Sequence, residues 1–306
     1  MSAFRFRRSL TAILVAVMLL TSLTLNAPAH AAGKLKVVAT INIFGDFVNV
    51  IAGDKVDLTT FVGLDGDPHN YEPTPADSAK LADADLVFED GLQLESWLDK
   101  LYQSSGSKAR RMVVSYAIDP LPAPEGELRN AGKDFDPHIW HDVQNMIEVV
   151  KYMRGVFIQA DPANAATYSA NADAYLKQLA DLDKWVQDQV NSIPQANRKL
   201  VTNHDAFGYF ARHYGFTVVG TLIGVSTEAS EPSAADVAKL VDTIKAQKVP
   251  TIFAELTTNS DLIERVAKEA GVQLGDELLP DGLGKEAPTY IDMVKYNVTA
   301  IVKGLK

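Results

Sequence analysis

One stretch constrains the fold more than any other. From Pro162 to Ser192 there is no glycine and no internal proline, and Ala, Leu, Lys, Gln and Asp dominate. Within it Tyr168, Tyr175, Leu179, Leu182, Trp185 and Val186 recur at intervals that place them on one helical face. The pattern predicts a single helix entered through Asp161-Pro162 and ended by Pro194. At ~1.5 Å rise per residue it would run about 45 Å, roughly the length of a domain. Lying at mid-chain, it is expected to act as a rigid strut between two halves.

Both halves alternate short apolar runs with helical patterns. In the first, Leu35 to Ile41, Val56 to Val62, Asp85 to Phe88 and Met112 to Tyr116 read as strands. Phe44 to Ile51, Pro75 to Leu81 and Leu92 to Leu101 read as helices. In the second, Leu200 to Thr202, Thr217 to Ile223, Thr251 to Glu255 and Val272 to Leu274 read as strands. Phe207 to His213, Ala234 to Gln247, Asp261 to Ala270 and Thr289 to Lys303 read as helices. This order predicts an α/β protein: two lobes with parallel sheets, residues 32–160 and 195–306, joined by a linking helix over 161–194. Asp119 to Asp136, rich in Pro, Gly and charge, reads as an exposed loop.

The first 31 residues read as a secretory signal. Arg5, Arg7 and Arg8 precede an apolar run from Leu10 to Leu25, and Ala29-His30-Ala31 follows as an A-x-A cleavage site. The run is shorter than a spanning helix of about 20 apolar residues and is interrupted by Thr and Ser, which disfavours a membrane anchor. Arg7-Arg8-Ser9-Leu10 matches a twin-arginine export signal only weakly. Removing 31 of 306 residues leaves 275, one large or two modest domains. Removing three arginines from a net charge of −10 leaves −13. Such an acidic chain lacks the basic patches that nucleic acid requires. It contains no cysteine, which excludes disulfides, a thiolate zinc site and a lipidated residue after the signal. The expected product is free, soluble and periplasmic.

Chemistry concentrates on histidine. His30 leaves with the signal, so His69, His138, His141, His204 and His213 remain. A lone histidine is by default an ordinary polar residue, but context raises three. His69 and His138 each stand in Asp-Pro-His, after Asp67-Pro68 and Asp136-Pro137. Proline restrains the backbone before each ring, and the aspartate can cap the turn or orient the imidazole through its second nitrogen. His204 directly follows the strand Leu200 to Thr202, where open α/β sheets place their sites. A fourth candidate is Asp281 in Leu279-Pro280-Asp281-Gly282, which taken alone is a plain turn. Two candidates precede the long helix and two follow it, so an ion held by all four would tie the halves together.

The sequence resembles the zinc- and manganese-binding family of ABC-transporter substrate-binding proteins. The matching stretches are Asp67 to Pro73, Asp136 to Trp140, Thr202 to Phe210, Gly224-Val225-Ser226-Thr227-Glu228 and Asp281-Gly282, in order over nearly the whole mature chain. The resemblance implies two α/β lobes joined by one rigid helix, metal ligands at His69, His138, His204 and Asp281, and a membrane permease as partner of a monomeric protein. His141 and His213 match no ligand position. His141 is expected in a surface or ligand-supporting role and His213 at a helix C-terminus.

Three imidazoles and a carboxylate suit Zn²⁺. Manganese prefers more oxygen, and members of that family built for it often carry a carboxylate in place of the third histidine, so His204 favours zinc. Against this, the loop Asp119 to Asp136 holds Glu125, Glu127, Arg129, Lys133 and Asp134 but no histidine, whereas many zinc members carry a His-rich loop there. Manganese therefore stays open. A zinc hydrolase is the alternative of another class. It would keep a ligand position for water, and neither H-E-x-x-H nor G-x-S-x-G is present, with Glu72 the only nearby candidate base. An adhesin role, attached to surface-held relatives of the family, is disfavoured by the missing lipid-anchoring cysteine.

Overall fold

A computed structural model describes residues 33–124, 133–228, 232–256 and 259–306. The expected signal peptide, and Glu125, Glu127 and Arg129 of the expected loop, lie outside the described residues.

Four strands form the sheet of the first half. β1 (Leu35–Ile41) pairs in parallel with β2 (Val56–Val62) and with β3 (Leu86–Glu89), and β3 with β4 (Arg110–Val113), giving the order β2-β1-β3-β4. β1 is a near-continuous apolar run, buried from Val37 to Ile41, as expected of a strand covered on both faces. The crossovers include α1 (Asn42–Ala52), α2 (Pro75–Ala82) and α3 (Leu98–Ser105). The second half holds two parallel pairs, β5 (Lys199–Thr202) with β6 (Thr217–Thr221) and β7 (Thr251–Ile252) with β8 (Gln273–Leu274). A main-chain bond of 2.9 Å from Phe253 N–H to Val201 O sets β7 beside β5. Its helices are α6 (Gly208–Tyr214), α7 (Ala234–Gln247), α8 (Asp261–Ala270) and α9 (Tyr290–Leu305). The expected α/β class with parallel sheets and a long helix is what forms.

Between these parts lie α4 (Val143–Ala160) and α5 (Ala165–Val190). The helix foreseen over Pro162 to Ser192 is a 26-residue α-helix, about 39 Å at ~1.5 Å per residue. Its first turn, Pro162–Asn164, is 3-10 instead. There the Asp161 carboxylate accepts from Asn164 Nδ2 and from the Tyr168 hydroxyl, both at 2.6 Å, and tightens the entry. Tyr168, Tyr175, Leu179, Leu182 and Val186 are buried, as their spacing implies. They join one apolar core that runs from Val37 of β1 through α4 and α5 to Ile301 of α9. Asn171 Nδ2 also donates to Ile51 O of α1 at 3.1 Å. The 18-residue α4 is capped at its start by Asp142, whose carboxylate accepts the Gln144 N–H at 2.9 Å.

Three elements are shorter than their sequence patterns predict. Leu92 to Leu101 is helical only from Leu98. Glu95 instead takes the N–H groups of Asp90 and Gly91 at 2.8 and 3.2 Å, and Leu92 and Gln93 sit at φ 50° and 63°. Thr217 to Ile223 stops at Thr221, since Leu222 and Ile223 both donate to Asn203 O at 2.9 Å. Met112 to Tyr116 leaves the sheet at Val113 and continues as a 3-10 turn, Val114–Ala117.

Candidate metal centre

Each candidate ligand stands in a loop that the fold holds stiffly. In the loop after β2, Asp67 Oδ1 accepts the His69 N–H at 2.8 Å, and Trp97 Nε1 donates to Pro68 O at 2.9 Å. Before the 3-10 turn Ile139–His141, Asp136 Oδ1 accepts the His138 N–H at 2.9 Å and also faces its ring Nδ1 at 2.7 Å. The two alternatives for Asp-Pro-His are thus both realised: Asp67 caps a turn, and Asp136 caps and orients the ring. Gly208 backs Asp136 so closely that a Cβ there would lie 2.5 Å from Oδ2. His204 leaves β5, and its carbonyl accepts from Thr202 Oγ1 at 2.7 Å. Its main-chain N–H and its Nδ1 both meet the Glu255 carboxylate, at 3.1 and 2.6 Å.

Asp281 is held from several sides. Asn297 bonds both the N–H and the carbonyl of Leu279 at 2.8 Å. Trp140 Nε1 and His141 Nε2 both donate to Pro280 O, at 2.7 and 2.8 Å. Beyond it, Leu283 N–H donates to Asn42 Oδ1 at 2.8 Å.

These loops bring His69, His138, His204 and Asp281 together, with one donor atom of each within 4.8 Å of all the others. His138 Nε2 lies 3.3 Å from His69 Nε2 and 3.1 Å from His204 Nε2. Asp281 Oδ1 lies 3.2, 3.5 and 3.6 Å from the Nε2 atoms of His204, His138 and His69. A tetrahedron of bonds of ~2.0–2.1 Å has edges of about 3.3–3.4 Å, so the cluster has the size of a four-coordinate site. None of the four residues exposes more than 1% of its surface.

The electrostatics follow from burial set against charge. Burial alone would push the Asp281 carboxyl up, but the His204 ring and hydrogen bonding to His138, His204 and His69 outweigh it and hold the group well below the usual carboxylate range. Burial would likewise lower His138 and His204. Asp136 and Asp281 reverse this at His138, and Asp281 and Glu255 drive His204 well above the ordinary histidine value. Burial prevails at His69, which is lowered. With Nδ1–H directed to a carboxylate, His138 and His204 would each present the Nε2 lone pair to the centre once the Nε2 proton is given up to an incoming metal.

His141 takes the second of its two expected roles, supporting a candidate ligand: it is buried, holds the Asp281 loop through Pro280 and stacks on Phe207 at 4.3 Å. Burial pushes its ring down to about 3, so it stays neutral and donates from Nε2. His213 does sit in the last turn of α6, but its nitrogens face Asp142 at 3.2 Å and Asp183 at 3.4 Å rather than helix carbonyls. Glu255 was read only as the end of a strand. Nothing around it marks a partner of a histidine 51 residues earlier.

Three imidazoles and a carboxylate converge in a buried pocket, and Glu72, the candidate base, is exposed. Fold and site together define a metal-binding, substrate-capturing protein and not a hydrolase. The family model ZnuA, zinc-uptake complex component A periplasmic, matches residues 37–304, and the chain belongs to that family. It is 38% identical over 274 residues to the manganese-binding lipoprotein MntA of Halalkalibacterium halodurans, covering 89% of this chain and 88% of that one. It is 34% identical over 282 residues to the iron-binding protein YfeA of Yersinia pestis, covering 91% and 89%. Among solved structures, the periplasmic zinc-binding protein TroA from Treponema pallidum superposes with a TM-score of 0.81 at 36% identity, over 89% of this chain and 99% of that one. The family is one of solute-binding proteins of metal ABC transporters, which act with permease components and are not enzymes.

Proposed function

We propose that this protein captures Zn²⁺ outside the cytoplasm through the Nε2 atoms of His69, His138 and His204 and through Asp281, and delivers it to the permease of an ABC importer. The observation that carries the reading is the size of the cluster: five donor separations of 3.1–3.6 Å, close to the edges of a tetrahedral zinc site. Three nitrogens and one oxygen also favour zinc over the harder Mn²⁺. Residues 32–160 and 195–306 are taken as the two lobes, with 161–194 as the helix between them. The ion is cargo, so binding has to be tight yet reversible.

Manganese is the second reading, favoured by the relative at 38% identity that is named for it. Metal analysis of protein purified from its own compartment, followed by zinc–manganese competition, separates the two. Manganese bound in place of zinc when both are present would reject the zinc reading. We further infer a monomer, soluble in the periplasm after cleavage near Ala31. The sequence has no cysteine to carry a lipid, and among the described residues no helix is long and apolar enough to cross a membrane.

A further inference from the structure

The three imidazoles are not anchored alike. Asp136 and Glu255 each grip their histidine twice, at the main-chain N–H and at ring Nδ1. Asp67 holds His69 only by the main chain, and among the described residues the buried Nδ1 of His69 has no hydrogen-bond partner. A ring without such a partner is not fixed in tautomer or tilt by the protein. What holds the ring of His69 is therefore the position of its turn.

That turn is closed from the other half of the chain. Thr227, in the loop after β6, donates its hydroxyl to Asp67 Oδ2 at 2.7 Å across 160 residues. Asn70 Nδ2 completes a triangle, 2.8 Å from Thr227 Oγ1 and 3.1 Å from Asp67 Oδ2. The neighbouring Glu228 fastens the same loop separately, accepting from Ser96 Oγ at 2.5 Å and from Lys133 Nζ at 3.4 Å. Within the first half, Asp67 Oδ1 accepts the His69 N–H and Trp97 donates to Pro68 O, while the start of the loop meets the second half at Asp65, whose N–H donates to Leu283 O at 3.0 Å.

We propose that Thr227 is a positioning residue for metal retention: by closing the Asp67 turn it fixes His69, which is the last imidazole to engage the ion and the first to leave. Together with the Asn70 contact, the hydroxyl–carboxylate bond is how Thr227 acts from the second half on the turn that carries His69. When it opens, the ligand with the weakest support of its own is released while His138 and His204 remain gripped. This inference rests on His69 being a metal ligand.

The test uses the whole mature protein with Zn²⁺ alone as probe. Thr227→Val keeps the side-chain shape and removes the donor, while the Glu228 ties stay to hold the loop; Thr227→Ser restores the hydroxyl. Stopped-flow transfer of zinc to excess chelator should show dissociation roughly tenfold faster in T227V, with association little changed, because losing a bond to a charged group acts mainly on the off-rate. T227S should return to the wild-type rate. In the zinc-loaded T227V protein the ring signals of His69 should broaden by NMR, and those of His138 and His204 should not. An unchanged off-rate in T227V, a T227S as fast as T227V, or equal broadening of all three rings would overturn the proposal. Zinc binding that survives His69→Ala would instead sink the functional reading beneath it, so the two failures are distinguishable.

Discussion

Glu255 meets His204 at two points, its Oε1 accepting the main-chain N–H at 3.1 Å and its Oε2 lying 2.6 Å from Nδ1. Both side chains are buried, so this carboxylate decides which ring nitrogen carries the proton. Glu255→Gln can present an amide N–H to Nδ1 and so favour the tautomer that protonates Nε2. Zinc affinity should fall roughly 10- to 100-fold, the usual range for such supporting carboxylates. Competition against a chelating dye measures it, and an unchanged affinity would show that Glu255 only caps the main chain.

Replacing a donor should be costlier than replacing its support. If four donors share an apparent ~10–16 kcal/mol of binding, each is worth about 3 kcal/mol, or at least ~100-fold in affinity. His69→Ala, His138→Ala and His204→Ala should each lose about this much. Asp281→Ala should weaken binding less, or shift selectivity among metals. Circular dichroism should show the metal-free variants still folded, because the apolar core from Val37 to Ile301 does not depend on the ion.

The His141 side chain reaches the site through Pro280 O, shared with Trp140. His141→Phe keeps an aromatic ring against Phe207 and removes one of the two N–H donors that seat the Asp281 loop. Zinc affinity should drop by up to about tenfold, the worth of one buried hydrogen bond. If it fell as far as in a ligand variant, His141 itself would be implicated in binding.

Loading with metal should stabilise the fold by mass action. At zinc ~1,000-fold above Kd the gain is about 4 kcal/mol, which for a chain of this size is a rise in Tm of roughly 7 °C. Chelator should reverse it. A flat Tm at saturating zinc would contradict ligation by residues as distant in sequence as His69 and Asp281.

Two buried carboxyls away from the donors set a pH dependence. Burial pushes Glu95 up to about 7 from 4.5, against the hydrogen bonds from Thr40 and the Asp90 N–H. Burial and then the nearby Glu95, Asp136 and Glu89 raise Asp90 well above the usual range, and among the described residues neither of its carboxylate oxygens has a hydrogen-bond partner. A raised carboxyl binds its proton more tightly folded than unfolded. Its contribution is therefore complete below the ordinary value and is lost as pH climbs through the raised one. For Glu95 that window runs from about 4.5 to 7 and is worth about 3 kcal/mol. The metal-free protein should melt progressively lower across it, and Glu95→Gln should flatten the slope. Asp90→Asn removes an uncompensated buried charge and should raise Tm at pH 8; a fall would assign the carboxylate a partner or role of its own.

Much of this molecule is written locally. The uninterrupted run with apolar residues on one face determined α5, and two Asp-Pro-His turns and Asn203-His204 after a strand marked three candidate donors; Asp281, a plain turn by itself, joined them through the family resemblance. Backbone restraint, capping and periodicity act over a few residues, so a linear reading reaches them. The same reading could not find Glu255 behind His204, Thr227 against Asp67, or His141 and Trp140 beneath Pro280. Those partners lie 51, 160, 139 and 140 residues apart. Only the packing of two sets of parallel strands around α4 and α5 brings them into contact. Which residues can hold the ion was a property of short motifs. How firmly each is held was decided by tertiary structure, because ring orientation depends on carboxylates and carbonyls delivered from distant loops.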